Sequence, residues 1–112
     1  MRIALPLVQG KLSMHFGHCE QFALVDVDPN AKCITSITNT TPPPHEPGLL
    51  PKWLAGQDVT LVIAGGMGGR AQGLFTDKGI EVVVGAQPAL PEETVIAYLN
   101  DELQTGNNIC DH

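Results

Sequence analysis

The sequence predicts an α/β domain, a mixed sheet covered by helices, with elements in the order β-β-β-α-β-α-β-α. Three observations carry this. Apolar runs at 3–8, 59–64 and 80–84 have the length and Val/Ile/Leu content of buried strands. Two strand-like runs, 22–28 and 33–38, flank Asp28-Pro29-Asn30-Ala31-Lys32, which is turn chemistry and marks a hairpin. Stretches of helical pattern then separate the later strands, as crossover connections between parallel strands require.

In chain order, the first strand is stopped by Gly10, and residues 11–20 form a polar, His-rich loop with no sustained period. In the hairpin's second strand Ile34 and Ser36 alternate with Thr35 and Ile37, the pattern of a half-exposed edge. Residues 39–48 hold four prolines and belong to no element. A short helix fits 49–55, with Pro51 in its first turn and Gly56 as its stop. The apolar run 59–64 reads as an interior parallel strand. Gly65-Gly66-Met67-Gly68-Gly69 then opens a helix reaching about Lys78, closed by Gly79. After the strand at 80–84, Pro91 starts a last helix with Glu92 and Glu93 in its first turn. Val95, Ile96, Leu99 and Leu103 share one face of it, which predicts an end near Leu103. Residues 1–104 thus form one domain, and 105–112 a flexible tail ending Cys110-Asp111-His112.

Composition narrows the function. A chain of 112 residues, 43% hydrophobic and 16% charged, supports a single core. Six basic against twelve acidic residues give a net charge of −6, with no basic patch for nucleic acid. No stretch reads as a signal peptide or membrane span. Three cysteines are odd in number and too few for a disulfide framework, which points to a reducing cytoplasm and free or metal-bound thiols.

Four features bear chemistry. His15-Phe16-Gly17-His18-Cys19 lies in a loop between strands; imidazole and thiolate suit soft and borderline metals, although a bare His-x-x-His also occurs as two solvated loop residues. Cys110-Asp111-His112 offers a second chelating pair or else a frayed end. Together the two clusters hold three of the four histidines and two of the three cysteines, and this concentration says more than either motif. Gly65, Gly66, Gly68 and Gly69, with Met67 between them and Arg70 following, place backbone N–H groups and a fixed charge at a helix start, an anion site. The alternative is that the glycines only permit close packing. The loose G-x-G-x-x-A pattern there lacks the acidic residue and the length of a dinucleotide fold. Finally, Asp26 and Asp28 share a strand face but have no further acid beside them. No grouping of Ser, Cys, His and acid is compelling, so no catalytic residue is assigned and the chain is expected not to be an enzyme.

Arg2-Ile3-Ala4-Leu5-Pro6, Ser13-Met14-His15-Phe16-Gly17-His18 and Phe22-Ala23-Leu24-Val25-Asp26-Val27-Asp28 resemble the opening of the dinitrogenase iron–molybdenum cofactor biosynthesis family. Val62-Ile63-Ala64-Gly65-Gly66-Met67-Gly68-Gly69-Arg70-Ala71, Gly79-Ile80-Glu81-Val82 and the ending at Cys110-Asp111-His112 are similar to its second half and to the tails of its single-domain members. The resemblance implies a ribonuclease-H-like three-layer α/β/α fold with a mixed five-stranded sheet. It also implies a carrier that binds, stores or hands on, non-covalently, an iron–molybdenum cofactor, an Fe–S or Mo-containing sulfide cluster or a precursor, between cluster-synthesising and cluster-receiving proteins. A related branch, the orange protein of sulfate reducers, holds a molybdenum–copper sulfide cluster. Carried onto this sequence, the resemblance implies that His15, Phe16 and Gly17 with 65–70 would face the cluster and that the loop supplies His15 and His18; the chemistry of the residues adds Cys19, Cys110 and His112 as further metal-ligand candidates. The radical-SAM cysteine motif of the larger members is absent, and 2–7 lacks the carboxylate that a nuclease of this fold needs.

Two other readings stand beside the carrier. A mononuclear Zn²⁺ or Cu⁺ module explains the His and Cys but not the glycine loop. A regulatory or partner-binding domain would use the segment Pro42-Pro43-Pro44-His45. Colour separates the three: a sulfide-cluster carrier isolated without oxygen absorbs in the visible, a Zn²⁺ module does not, and a partner-binding domain carries no metal.

Overall fold

The computed structural model describes residues 1–13, 16, 19–43 and 49–106. Its elements are β1 (Arg2–Val8), β2 (Lys11–Leu12), β3 (Gln21–Asp28), β4 (Cys33–Thr40), α1 (Leu49–Ala55), β5 (Leu61–Ile63), α2 (Gly69–Asp77), β6 (Glu81–Val83) and α3 (Pro91–Leu99). The sheet runs β4-β3-β1-β5-β6, and β2 pairs with β1 off this path. The sheet is mixed: β1 is antiparallel to β3 and parallel to β5, and β5 is parallel to β6.

The core follows from strand alternation. Ile3, Leu5 and Leu7 of β1, Ala23, Val25 and Val27 of β3, and Leu61 and Ile63 of β5 face one layer, with Val95 and Leu99 of α3. Ala4, Phe22, Leu24 and Val62 face the other, with Leu50 and Leu54 of α1 and Phe75 of α2. Period-two alternation on strands covered on both faces therefore yields three layers, α/β/α, as expected.

Three details differ from expectation. Among the described residues the sheet has six strands, not five, because Lys11 and Leu12 fold back on Val8 and Leu7; a two-residue strand leaves no periodic signal. Helix α3 ends at Leu99 rather than near Leu103. Asn100 donates its side-chain amide to Ile96 O, and Asp101 takes a left-handed φ of 58°, which ends the helix. Leu103 still packs on the core, from outside the helix, whereas Ile96 is exposed. In β4 the simple alternation fails as well. Asp26 pairs with Ser36 and Val27 with Ile34, so Thr35 is an inserted bulge residue. The bulge turns Ile37, opposite Val25, to the same face as Ile34, opposite Val27.

The connections match their sequence chemistry. Asp28 Oδ1 accepts the N–H groups of Asn30 and Ala31, closing the hairpin. Gly79 has φ +75°, and Ile80 N–H returns to Phe75 O at 3.0 Å, so the chain leaves α2 directly into β6. At the sheet's other end Arg2 donates to Asp26 at 2.8 Å and to Gln57 O at 2.7 Å. This holds the Asp26 carboxyl below the usual carboxylate range, through the Arg2 hydrogen bond first and the Ser36 hydroxyl next.

A carboxyl whose folded pKa is depressed stabilises the fold above its unfolded pKa, and that contribution is lost as pH falls through the folded value. Asp26→Asn is therefore expected to cost up to about 1 kcal/mol at pH 7, since both side chains are one-third exposed. The gap to the wild type should close below the folded pKa of Asp26, as read by urea unfolding across pH. A gap that persists undiminished in strong acid would show that the effect is not ionic.

Candidate functional site

The site is built where β1 and β5 end. Beyond β1 the chain turns through Gln9 and Gly10, both at positive φ, and returns as β2 to Ser13. Beyond β5 the parallel neighbour runs into Ala64, Gly65 and Gly66. Two backbone bonds join these segments: Gly65 N–H donates to Ser13 O at 3.1 Å, and Phe16 N–H donates to Gly66 O at 3.0 Å. The His-Phe-Gly loop and the glycine loop, 50 residues apart in the chain, are thus sewn together.

Phe16 anchors this junction. Its ring is 7% exposed and meets Phe75 edge-on at 5.4 Å and Phe22 at 5.7 Å; Phe22 in turn meets Trp53 at 5.7 Å. Edge-to-face aromatic pairs of this kind add to the area they bury. The Phe16 ring belongs to the core between β3 and α2, while its backbone is tied to the glycine loop.

Along that loop burial changes quickly. Gly65, Gly66 and Met67 are buried, Gly68 is half-buried, and Gly69 and Arg70 are exposed. Gly68 caps α2 in an extended conformation with no side-chain hydrogen bond, and the first turn has no acidic residue. The exposed part of the motif is therefore the start of a nine-residue helix, with the dipole's positive end and Arg70 close together. Gln72 donates its side-chain amide to Met67 O at 2.9 Å, fixing the loop's entry into α2.

Cys19 follows the His loop, half-buried against the aromatic cluster. Burial pushes its thiol up to about 11, so at neutral pH it is protonated, and a soft metal binding there would displace the proton. Cys33 is free and exposed at the start of β4. His15, Gly17, His18, Cys110 and His112, all predicted site residues, lie outside the described residues, as does His45. Among the described residues no three His, Cys, Asp or Glu side chains gather to hold a metal ion, and no helix is long and apolar enough to cross a membrane.

Sequence reading did not find two further parts of this seam. Gly85 N–H donates to Gly65 O at 3.0 Å, and Gly106 N–H donates to Gly85 O at 2.7 Å. The only local signal was a glycine at the end of β6.

Comparison with known proteins adds to this geometry. The dinitrogenase iron–molybdenum cofactor family matches residues 1–101. An uncharacterised protein of Methanocaldococcus jannaschii is 27% identical over 107 residues, 93% of this chain and 90% of that protein. The crystal structure of PH0822 superposes with a TM-score of 0.86 at 27% identity, covering 94% of each chain. The apo form of the orange protein from Desulfovibrio gigas superposes with a TM-score of 0.72 at 20% identity, over 96% of this chain and 93% of that one. At that identity the likeness is one of fold.

Because Phe16 is both a core ring and the donor to Gly66, Phe16→Ala is expected to destabilise the protein by about 3 kcal/mol. Phe16→Leu, which refills most of the space, should cost under half of that. Urea unfolding of the two variants checks this, and equal, negligible losses would show that the ring is not part of the core.

Proposed function

This chain belongs to the dinitrogenase iron–molybdenum cofactor family, and from that premise we propose that it binds and hands on, as cargo, an iron–sulfur–molybdenum cluster or a related metal-sulfide precursor. Binding is non-covalent, and the cargo passes between a protein that makes it and one that receives it. The observation that carries this reading is the pair of backbone bonds joining Ser13 and Phe16 to Gly65 and Gly66. They join Ser13 and Phe16, the sequence neighbours of the two histidines, to the segment that leads into a helix start without a side-chain cap and bearing Arg70.

The chemistry of that junction suits an anionic, sulfide-rich cargo. Backbone N–H groups at the start of α2 and the Arg70 guanidinium supply donors and positive charge to sulfides. Imidazoles of His15 and His18 and the thiol of Cys19 are ligands for soft and borderline metals. In a chain of net charge −6, a local positive end also concentrates binding at one place. The residues named here bind and orient; none needs to make or break a covalent bond in the cargo, so the reading is of a carrier and not an enzyme.

The test compares His15→Ala with His45→Ala under exclusion of oxygen, titrating each with a preformed iron–sulfur–molybdenum cluster. Loss of a ligand or charge-assisted donor costs about 1.5–3 kcal/mol, roughly ten-fold or more in affinity. His15→Ala should show that loss, and His45→Ala, in the Pro-rich segment, should bind like the wild type. Equal affinities for the two variants would overturn the assignment of the site to this loop.

A further inference from the structure

The sheet path ends at β4 on one side and at β6 on the other, and the two edges differ. β6 is three residues long and opens on the exposed Glu81. Just beyond it Ala86 bridges Thr105, and Gly85 O accepts Gly106 N–H at 2.7 Å, so the chain's own later segment covers that side. β4 is eight residues long, and among the described residues no strand pairs with its outer edge. Open edges are commonly guarded by Lys, by Pro or by shortness of the strand. β4 holds no charged residue and no proline. Its one guarding device is the bulge at Thr35, which leaves 36–40 as a regular run.

That run is sorted by face. Ser36, Thr38 and Thr40 stand opposite Asp26, Leu24 and Phe22 of β3, while Ile37 and Asn39 stand opposite Val25 and Ala23. Because successive residues alternate, one face carries a row of three hydroxyls. The other, shared with Val25 and Ala23, is the face on which α3 packs. Thr38 is exposed, and Ile37 is 41% exposed, so neither face of the edge is closed over by this chain.

We propose that this edge pairs with the same edge of a second copy of the chain, antiparallel about a two-fold axis at Thr38, giving a reversible dimer with one sheet running through both copies. Charge favours a second copy over a strand of another protein. Each chain carries a net −6, which repels its own kind over most of the surface, whereas β4 is an uncharged strip. The strand also complements itself. In the register centred on Thr38, that residue meets its own counterpart, Ser36 meets Thr40, and Ile37 meets Asn39. Hydroxyl pairs of this kind are favourable cross-strand neighbours. With the β6 side covered, each copy has one open edge, so the pairing closes at two copies and does not grow into a fibre. A ladder of five residues is small beside the interfaces of permanent dimers, so the dimer forms as concentration rises. The two-fold axis reverses strand direction, which puts the two glycine loops, each at the carboxyl end of β5, at opposite ends of the joint sheet. The inference does not depend on what that loop binds.

The experiment follows the full chain by sedimentation from micromolar to millimolar concentration, beside Thr38→Lys. The full chain should shift from the mass of one copy to that of two. Thr38→Lys sets two like charges directly opposite each other across the axis and should weaken dimerisation ten-fold or more, with an unchanged far-ultraviolet circular dichroism spectrum. A second pair of proteins, Thr38→Cys and Asn30→Cys, each made with Cys33→Ser, is oxidised where the full chain is dimeric. Residues opposed across an antiparallel ladder lie within disulfide reach. Thr38→Cys should therefore cross-link through position 38, located by peptide mass spectrometry, at least ten-fold faster than Asn30→Cys cross-links through position 30 in the exposed turn. A full chain of single mass at millimolar concentration overturns the proposal and leaves the edge to a strand of another protein. A dimer that Thr38→Lys does not weaken overturns it too, as does assembly that grows past two copies. Should Thr38→Lys fail to fold, the cross-link decides: a fast 38–38 disulfide supports the pairing, and a rate no greater than that of the turn cysteine overturns it.

Discussion

Strand β1 has neighbours on both sides and helices over both faces, and the candidate site depends on that position. Its antiparallel partner β3 and parallel partner β5 fix its register, and Ile3, Ala4 and Leu5 are fully buried. A strand confined in this way cannot slip, because a one-residue shift would turn its whole apolar set to the wrong face. The chain leaving β1 therefore returns to Ser13 at one place, beside the end of β5, where two parallel strands release their loops together. Ligands of open α/β sheets bind at the carboxyl ends of strands for the same geometric reason.

From that constraint the backbone seam follows. Loops often satisfy their polar groups with water or side chains, yet here residues from separate segments satisfy one another: Ser13 and Phe16, Gly65 and Gly66, Gly85, and Gly106. Glycine stands at Gly65, Gly66, Gly85 and Gly106, and at Gly85 the requirement is explicit, because a side chain would collide with the neighbouring backbone. The aromatic cluster of Phe16, Phe22, Phe75 and Trp53 braces the seam from below. The seam's own N–H groups are taken up by these backbone bonds, so it serves as a fixed support for the helix start that follows it.

Much of this was legible in the sequence because local chemistry and global fold agree. Helix α1 has the bounds that Pro51 and Gly56 suggest, the hairpin turns on Asp28 as its composition requires, and Gly79 ends the connection from α2. The fold class followed from three apolar runs and their spacing. What escaped sequence reading was set by single residues or by pairing at long range. The end of α3 depends on Asn100 and Asp101 rather than on the apolar stripe, which continues to Leu103 and so overstated the helix. The bulge at Thr35 is visible only from pairing with β3. The docking of Gly106 on Gly85 links single residues through their backbones, and backbone pairing leaves no trace in side-chain periodicity. Within the site the glycine loop was readable by composition, and its division into a buried half, 65–67, and an exposed half, 69–70, was not.

The central claim is that a metal-sulfide cluster is the cargo of this junction, and isolation of the full chain from its native host without oxygen tests it most directly. Metal and acid-labile sulfide are determined on the purified protein alongside its visible spectrum. The account predicts iron or molybdenum together with sulfide, in fixed proportion to protein, and absorbance in the visible. A colourless protein carrying zinc, or copper with no sulfide, in fixed proportion to the chain would contradict it.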